Sequence, residues 1–166
     1  MRREEIRSKI FEQFDGPTLS QLATVNQYGR PWVRYVMSTI DEEMTLRIPT
    51  RSDTRKVQDI RYNPEVHVLV GKDLFSRSGA YAQIEGVATL TNDAHQRTQY
   101  WNSGMQRYFS STEDPSYILI EVRPFRIEYW SAMEEENPAV LEINSFENGD
   151  IDYEEQYWRS EKSVVV

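Results

Sequence analysis

Cysteine is absent from the 166-residue chain, which removes disulfides, thiolate nucleophiles and thiolate metal ligands together. Histidine is scarce: His67 lies in an apolar stretch and His95 in a polar one, with no second histidine at metal-ligand spacing. A metal site is therefore not expected. No run approaches the ~18 apolar residues of a membrane helix, and the first residues are charged rather than signal-like. Nucleophile-elbow, Walker and Gly-x-Gly-x-x-Gly patterns are missing as well. These absences predict a cytoplasmic protein without a membrane segment.

A net basic balance is lacking too. The formal charge is −8, and residues 131–166 carry all of it, with ten Asp and Glu against Arg159 and Lys162. The first 130 residues hold 17 charges of each sign. Nonspecific nucleic-acid binding, which needs a basic face, is disfavoured. A small anionic ligand needs only a local cluster.

The body reads as alternating short strands with a few helices. Ile6, Ile10, Phe11 and Phe14 fall at helical spacing before Gly16-Pro17. Strands are expected over 19–26, 31–40 and 44–48, joined by turns at 27–30 and 41–43, as in an antiparallel meander. A short helix over 54–61 precedes a strand at 66–70, apolar enough for burial on both sides. A loop over 71–79, a strand over 81–90 and a helix from Asn92 or Asp93 to about Phe109 follow. The last strand or strands cover 117–122 and 125–130. No repeat or low-complexity tract interrupts this plan. Strands so closely spaced exclude βαβ crossovers throughout and predict a mainly β (α+β) fold, a six-stranded antiparallel barrel with peripheral helices. Domain limits of 1–130 for the barrel and 131–166 for an acidic extension follow from the composition change. Tyr153, Tyr157 and Trp158 are expected to dock that extension on the barrel.

The densest chemistry is Pro49-Thr50-Arg51-Ser52-Asp53-Thr54-Arg55-Lys56, leading into Val57 and Ile60 at helical spacing. Ser52 or Asp53 would cap the helix. Free backbone N–H groups at a helix start, with hydroxyls and cations beside them, suit a phosphate. Arg34 shares a strand face with Trp32 and Val36, where an unpaired guanidinium would be costly and a phosphate would satisfy it.

Four segments carry a family likeness. They are Ala23-Thr24-Val25-Asn26 with Gly29-Arg30-Pro31-Trp32 and Arg34-Tyr35-Val36-Met37-Ser38-Thr39; the 50–66 stretch with Asn63-Pro64; Ala82-Gln83-Ile84-Glu85-Gly86; and Asp114-Pro115, Tyr117 to Ile120, then Pro124-Phe125-Arg126-Ile127-Glu128-Tyr129-Trp130. In this order they resemble the FMN-binding split-barrel superfamily that includes pyridoxamine 5′-phosphate oxidase. Residues around Tyr100-Trp101 and Tyr108-Phe109 are similar to its general stress protein 26-like branch.

The resemblance implies a homodimer with FMN in two grooves at the interface. It implies that Arg34, Tyr35, Val36, Met37, Ser38 and Thr39 border the flavin, and that Thr50, Thr54, Arg55 and Lys56 contact its phosphate. Tyr81 or Gln83, between which the likeness does not choose, would reach the partner's isoalloxazine, and Trp130 would pack beside the flavin. Family oxidases of vitamin B6 carry a basic, His-containing motif shortly after that tryptophan. Here Ser131-Ala132-Met133-Glu134-Glu135-Glu136-Asn137 stands instead, and three carboxylates repel a dianionic ester. The expected function is an FMN oxidoreductase of a small molecule, with NAD(P)H as candidate donor and no assignable catalytic acid or base. The alternatives are a non-catalytic flavin-binding stress protein, or a barrel using deazaflavin F420 or haem.

Overall fold

In a computed structural model, residues 2–72, 79–135 and 137–143 are described. Helix α1 (Arg3–Phe14) precedes strands β1 (Thr18–Val25), β2 (Pro31–Ile40) and β3 (Leu46–Arg51), then helix α2 (Arg55–Tyr62). Strands β4 (Glu65–Lys72) and β5 (Ala80–Thr91) follow, then helix α3 (Ala94–Gln99) and a 3-10 turn at Ser103–Arg107. A long β6 (Tyr117–Ser131) and a short β7 (Ala139–Glu142) complete the order.

The sheet runs β3-β2-β1-β4-β5-β6-β7, and an additional β3–β6 pairing closes six of these strands into an antiparallel barrel. β6 makes that closure because its first half pairs with β3, Leu46 opposite Val122 and Arg51 opposite Tyr117. Its second half carries β7, with Ile127 opposite Leu141. Period-two alternation sends Leu22, Ile48, Val68, Ile84, Ile120 and Ile127 into a sealed interior. α1 adds its buried Ile6, Ile10 and Phe14 to the same core.

The hairpin between β1 and β2 is held by Asn26, whose Oδ1 accepts from the Tyr28 and Arg30 amides at 2.9 and 3.0 Å. Gly29 supplies the left-handed φ of 72° that the turn requires.

Several expectations are corrected. Met44 belongs to the turn, not to β3: its φ is +69° and its amide donates to Asp41 O. β4 is buried on one face only, since Val66, Val68 and Val70 point inward while Leu69 is 36% exposed. The helix expected to reach Phe109 stops at Gln99, because Asn102 caps a separate 3-10 turn by accepting from the Gly104 amide. Trp101, Phe109 and Tyr117 then cluster, with Phe109 and Tyr117 ring centroids 4.9 Å apart. The segments 117–122 and 125–130, expected as one strand or two, form one. Pro124, lacking an N–H, sits opposite Gly86 where a bulge at Glu85/Gly86 shifts the register.

Beyond the barrel, Ala139 and Leu141 of β7 are buried, and Lys9 of α1 donates to Glu134 at 2.6 Å. Tyr153, Tyr157 and Trp158 lie outside the described residues.

A Cβ at position 86 would meet the Arg123 carbonyl oxygen at 2.6 Å, and strand backbone cannot retreat cheaply. Gly86→Ala is expected to destabilise the fold by about 1–3 kcal/mol in urea unfolding. Truncation after Ser131 removes β7 and exposes the surface that Leu141 covers. It should lower stability by about 2 kcal/mol or more in the same assay.

Candidate functional site

α2 leaves β3 directly, so its N-terminus is fixed by the barrel-closing strand. Thr54 is the N-cap residue, but its side chain makes no capping hydrogen bond. Its Oγ1 donates to Arg51 O at 2.9 Å instead. Neither Ser52 nor Asp53 caps the helix as expected, because Asp53 is held by the Arg51 guanidinium at 2.9 and 3.1 Å. The first turn of α2 is thus left without a side-chain acceptor. Thr50, buried at the end of β3, brings its hydroxyl to 3.5 Å from that of Thr54.

Three cations converge here. Arg55 stacks its guanidinium over Trp32 of β2, 4.7 Å from the ring centroid. Lys56 is half-buried and makes no hydrogen bond or ion pair among the described residues; burial first, and the nearby Arg34 charge second, lower its pKa. Arg34 is not the unpaired guanidinium that its strand position implied. It donates to Thr24 Oγ1 at 2.7 Å, to the Leu22 carbonyl at 3.2 Å and to Asp59 Oδ2 at 3.4 Å. Burial lowers its pKa, Asp59 opposes that shift and the Arg55 charge adds to it.

Asp59 and Thr24 are the site residues that sequence reasoning missed. Asp59 is 5% exposed and accepts from Thr24 Oγ1 at 2.7 Å. The available signal was indirect: a half-buried arginine demands a counter-charge, and Asp59 is the acid of α2, the helix that packs on β1, the neighbour of Arg34's strand. Beside this cluster a cleft of about 420 Å³ opens between α2 and the β1–β2 turn, lined by Tyr28, Arg55, Gln58, Asp59, Arg61 and Tyr62 among others.

The remaining candidates divide by strand face. Val36 and Ser38 point into the barrel, Ser38 sharing a 2.7 Å hydrogen bond with Ser20, so only their backbone can border an external ligand. Tyr35 and Met37 face outward and are exposed, and Thr39, opposite Arg47 on β3, is half-buried. Tyr81 stacks on Trp130, with centroids 5.5 Å apart and planes at 18°. Gln83 shares its outward face and pairs with Leu69 and Glu128. β1 and β4 intervene between β2 and β5. One chain therefore gathers Trp32, Arg34, Thr50, Thr54, Arg55 and Lys56 but holds Tyr81, Gln83 and Trp130 on another part of its wall.

The register makes the outer wall between them continuous. Leu19 lies opposite Met37, Gln21 opposite Tyr35 and Ala23 opposite Val33, while Leu69 lies opposite Gln21. Leu19, Val33, Tyr35 and Met37 are all at least 45% exposed, a contiguous apolar band of the kind that marks an interface. No cluster of three metal-ligating side chains occurs among the described residues.

A closed six-stranded antiparallel barrel with a few helices defines the split-barrel class of protein. The pyridoxamine 5′-phosphate oxidase family model matches residues 6–131, and the chain belongs to that family. It is 33% identical over 143 residues to general stress protein 26 of Bacillus subtilis, covering 86% of this chain and 100% of that one. The crystal structure of general stress protein 26 from Bacillus anthracis aligns with a TM-score of 0.72 at 29% identity, covering 84% of this chain and 99% of the other. Two further structures share the fold alone. A heme binding protein from Mycobacterium smegmatis has a TM-score of 0.66 at 13% identity, over 86% of this chain and 58% of that one. An F420 reductase has a TM-score of 0.55 at 24% identity, over 70% and 94%.

The lowered pKa of Lys56 has a definite sign for anion binding. Its ammonium attracts a phosphate below that pKa and loses its charge as pH rises through it. Affinity for a phosphorylated ligand should therefore begin to fall at a pH below the ordinary lysine value of 10.5. Lys56→Arg should abolish this alkaline decline, measured as Kd against pH by fluorescence titration.

Proposed function

We propose that this protein is an FMN-binding flavoprotein in which two copies build two flavin grooves, acting as an oxidoreductase on a small molecule. The observation that carries the reading is the pair of cations, Arg55 and Lys56, without acidic partners among the described residues, at the uncapped start of α2. A terminal phosphate is dianionic near neutrality and accepts several charge-assisted hydrogen bonds, which this arrangement supplies. When bound, the flavin supplies the electron-transfer chemistry. Arg55, Lys56, Thr50 and Thr54 would hold the phosphate, with Arg34 held by Asp59, Thr24 and the Leu22 carbonyl, and the β2 backbone from Arg34 to Thr39 would border the ring system.

The homodimer reading rests on two features. The apolar band on β1, β2 and β4 is exposed in the single chain. Tyr81 and Trp130 stand on β5 and β6, with β1 and β4 between β5 and the strand of Arg34, and a second copy would bring such a pair to the cluster. NAD(P)H is the candidate donor.

Vitamin B6 oxidation is not proposed. After Trp130 the chain turns back on itself, Asn137 Nδ2 donating to Ser131 O at 2.9 Å while the Ser131 amide donates to Asn137 Oδ1 at 3.0 Å. Residues 131–137 contain no basic side chain to receive a substrate phosphate.

Flavin bands near ~450 nm in the purified protein support the reading. A band near ~420 nm would indicate deazaflavin F420 and a Soret band haem, the ligands named for the two distant fold relatives. Anaerobic bleaching of the bound flavin by NADPH or NADH separates an enzyme from a flavin-binding stress protein.

Arg55→Ala or Lys56→Ala should weaken FMN by about 1.5–3 kcal/mol while leaving riboflavin nearly unaffected. Equal losses for both ligands would remove the phosphate from this cluster. Tyr35→Arg in the apolar band should shift the protein toward monomer in analytical ultracentrifugation and release flavin with it. Pyridoxamine 5′-phosphate should not be turned over, and measurable oxidase activity would defeat the charge argument.

A further inference from the structure

Asp59 is the one carboxylate, among the described residues, that touches the cationic cluster. Its three-way contact with Arg34 and Thr24 separates two roles that a buried acid usually combines. Arg34 is oriented by its shorter bonds, Nη1 to Thr24 Oγ1 at 2.7 Å and to the Leu22 carbonyl at 3.2 Å. The Arg34 to Asp59 contact is the longest, 3.4 Å, beyond the 2.7–2.9 Å of a strong charge-assisted bond. Directional bonding is weak at that separation, whereas the Coulomb interaction falls only as the inverse of distance. Asp59 therefore contributes charge to the site more than geometry.

Arg34, Arg55 and Lys56 are cationic, and the Asp59 carboxylate cancels one of the three. Two positive charges remain, matching a phosphate monoester, which carries about −1.5 to −2 at pH 7. We propose that Asp59 is a specificity determinant of this site, setting its net charge to that of a single phosphate monoester and holding down affinity for ligands more negative than that. This rests on reading the cluster as a phosphate site, but not on the ligand being a flavin.

Asp59→Asn keeps an oxygen that accepts the Thr24 hydroxyl and leaves the shorter Arg34 bonds in place, so it removes charge with little change of shape. The full-length protein, stripped of ligand, is titrated with FMN, riboflavin and inorganic phosphate at low and high salt. Asp59→Asn is expected to tighten FMN and inorganic phosphate about tenfold at low salt, the gain shrinking at high salt, with riboflavin within about twofold. Gln58→Glu, at an exposed position on the same helix beside Arg55, should do the reverse and weaken FMN about threefold or more. That surface variant keeps the test alive if Asp59→Asn does not fold. Equal changes for FMN and riboflavin would reduce Asp59 to a structural role and overturn the proposal. So would selective weakening of FMN in Asp59→Asn, which would make it an orienting residue, or an unchanged FMN affinity in Gln58→Glu. Tighter phosphate binding in Asp59→Asn, with no FMN binding by either protein, would sink the flavin reading and sustain the charge role.

Discussion

Backbone pairing along β6 is the constraint from which the rest of the molecule follows. This strand pairs with β5 over its length, with β3 through its first half and with β7 through its second. The β3 pairing turns a curved sheet into a closed barrel and leaves few exposed edges. It also fixes the end of β3, and α2 starts four residues beyond Arg51. The helix N-terminus that gathers the cations is thereby set by barrel closure, not by a free loop. A site built on regular elements holds its geometry without a ligand to order it.

The same closure imposes an electrostatic cost. Arg34, Arg55 and Lys56 are near enough that Arg55 lowers the pKa of Arg34, and Arg34 that of Lys56. Each charge is offset differently. Arg34 is compensated by a carboxylate, a hydroxyl and a carbonyl. Arg55 spreads its charge over the face of an indole. Lys56 alone has burial and a like charge to contend with and no partner among the described residues. The site thus keeps its least compensated cation where an incoming anion would gain most.

Much of this was legible from pattern. The α1 stripe, the limits of β2 and the position of α2 follow from periodicity and from turn residues, because each is a local signal reinforced by burial. The cationic turn was legible from its own residues, hydroxyls and cations gathered at a helix start, and the family likeness agreed with it. What failed depended on distant partners. The apolar run Val66-His67-Val68-Leu69-Val70 reads as doubly buried, yet no described element covers Leu69, which is 36% exposed. The break after Gln99 depends on an asparagine cap and an aromatic cluster completed by Tyr117, far along the sequence. Arg34, read from its strand alone, lacks a partner because its counter-ion lies 25 residues away on α2. Spacing along one element cannot reveal a partner supplied by another.

The placement of charge over the whole chain bears on what the outer wall can do. The first 130 residues are balanced, and the excess acidity lies beyond them, so the apolar band of Leu19, Val33, Tyr35 and Met37 is not set in a strongly charged face. Two such faces can meet without large charge repulsion, and the free energy of contact would come from apolar area. Beyond Trp130, Glu134 is drawn to Lys9 and Glu142 to Arg126, which ties the first part of the acidic segment to α1 and β6. Two of its carboxylates are thus compensated on the barrel itself, so the segment adds less negative potential than its composition implies. On the proposed reading, anion recognition would be decided locally, at the start of α2, by Arg55 and Lys56, which have no acidic partner among the described residues, because short-range Coulomb terms are screened least.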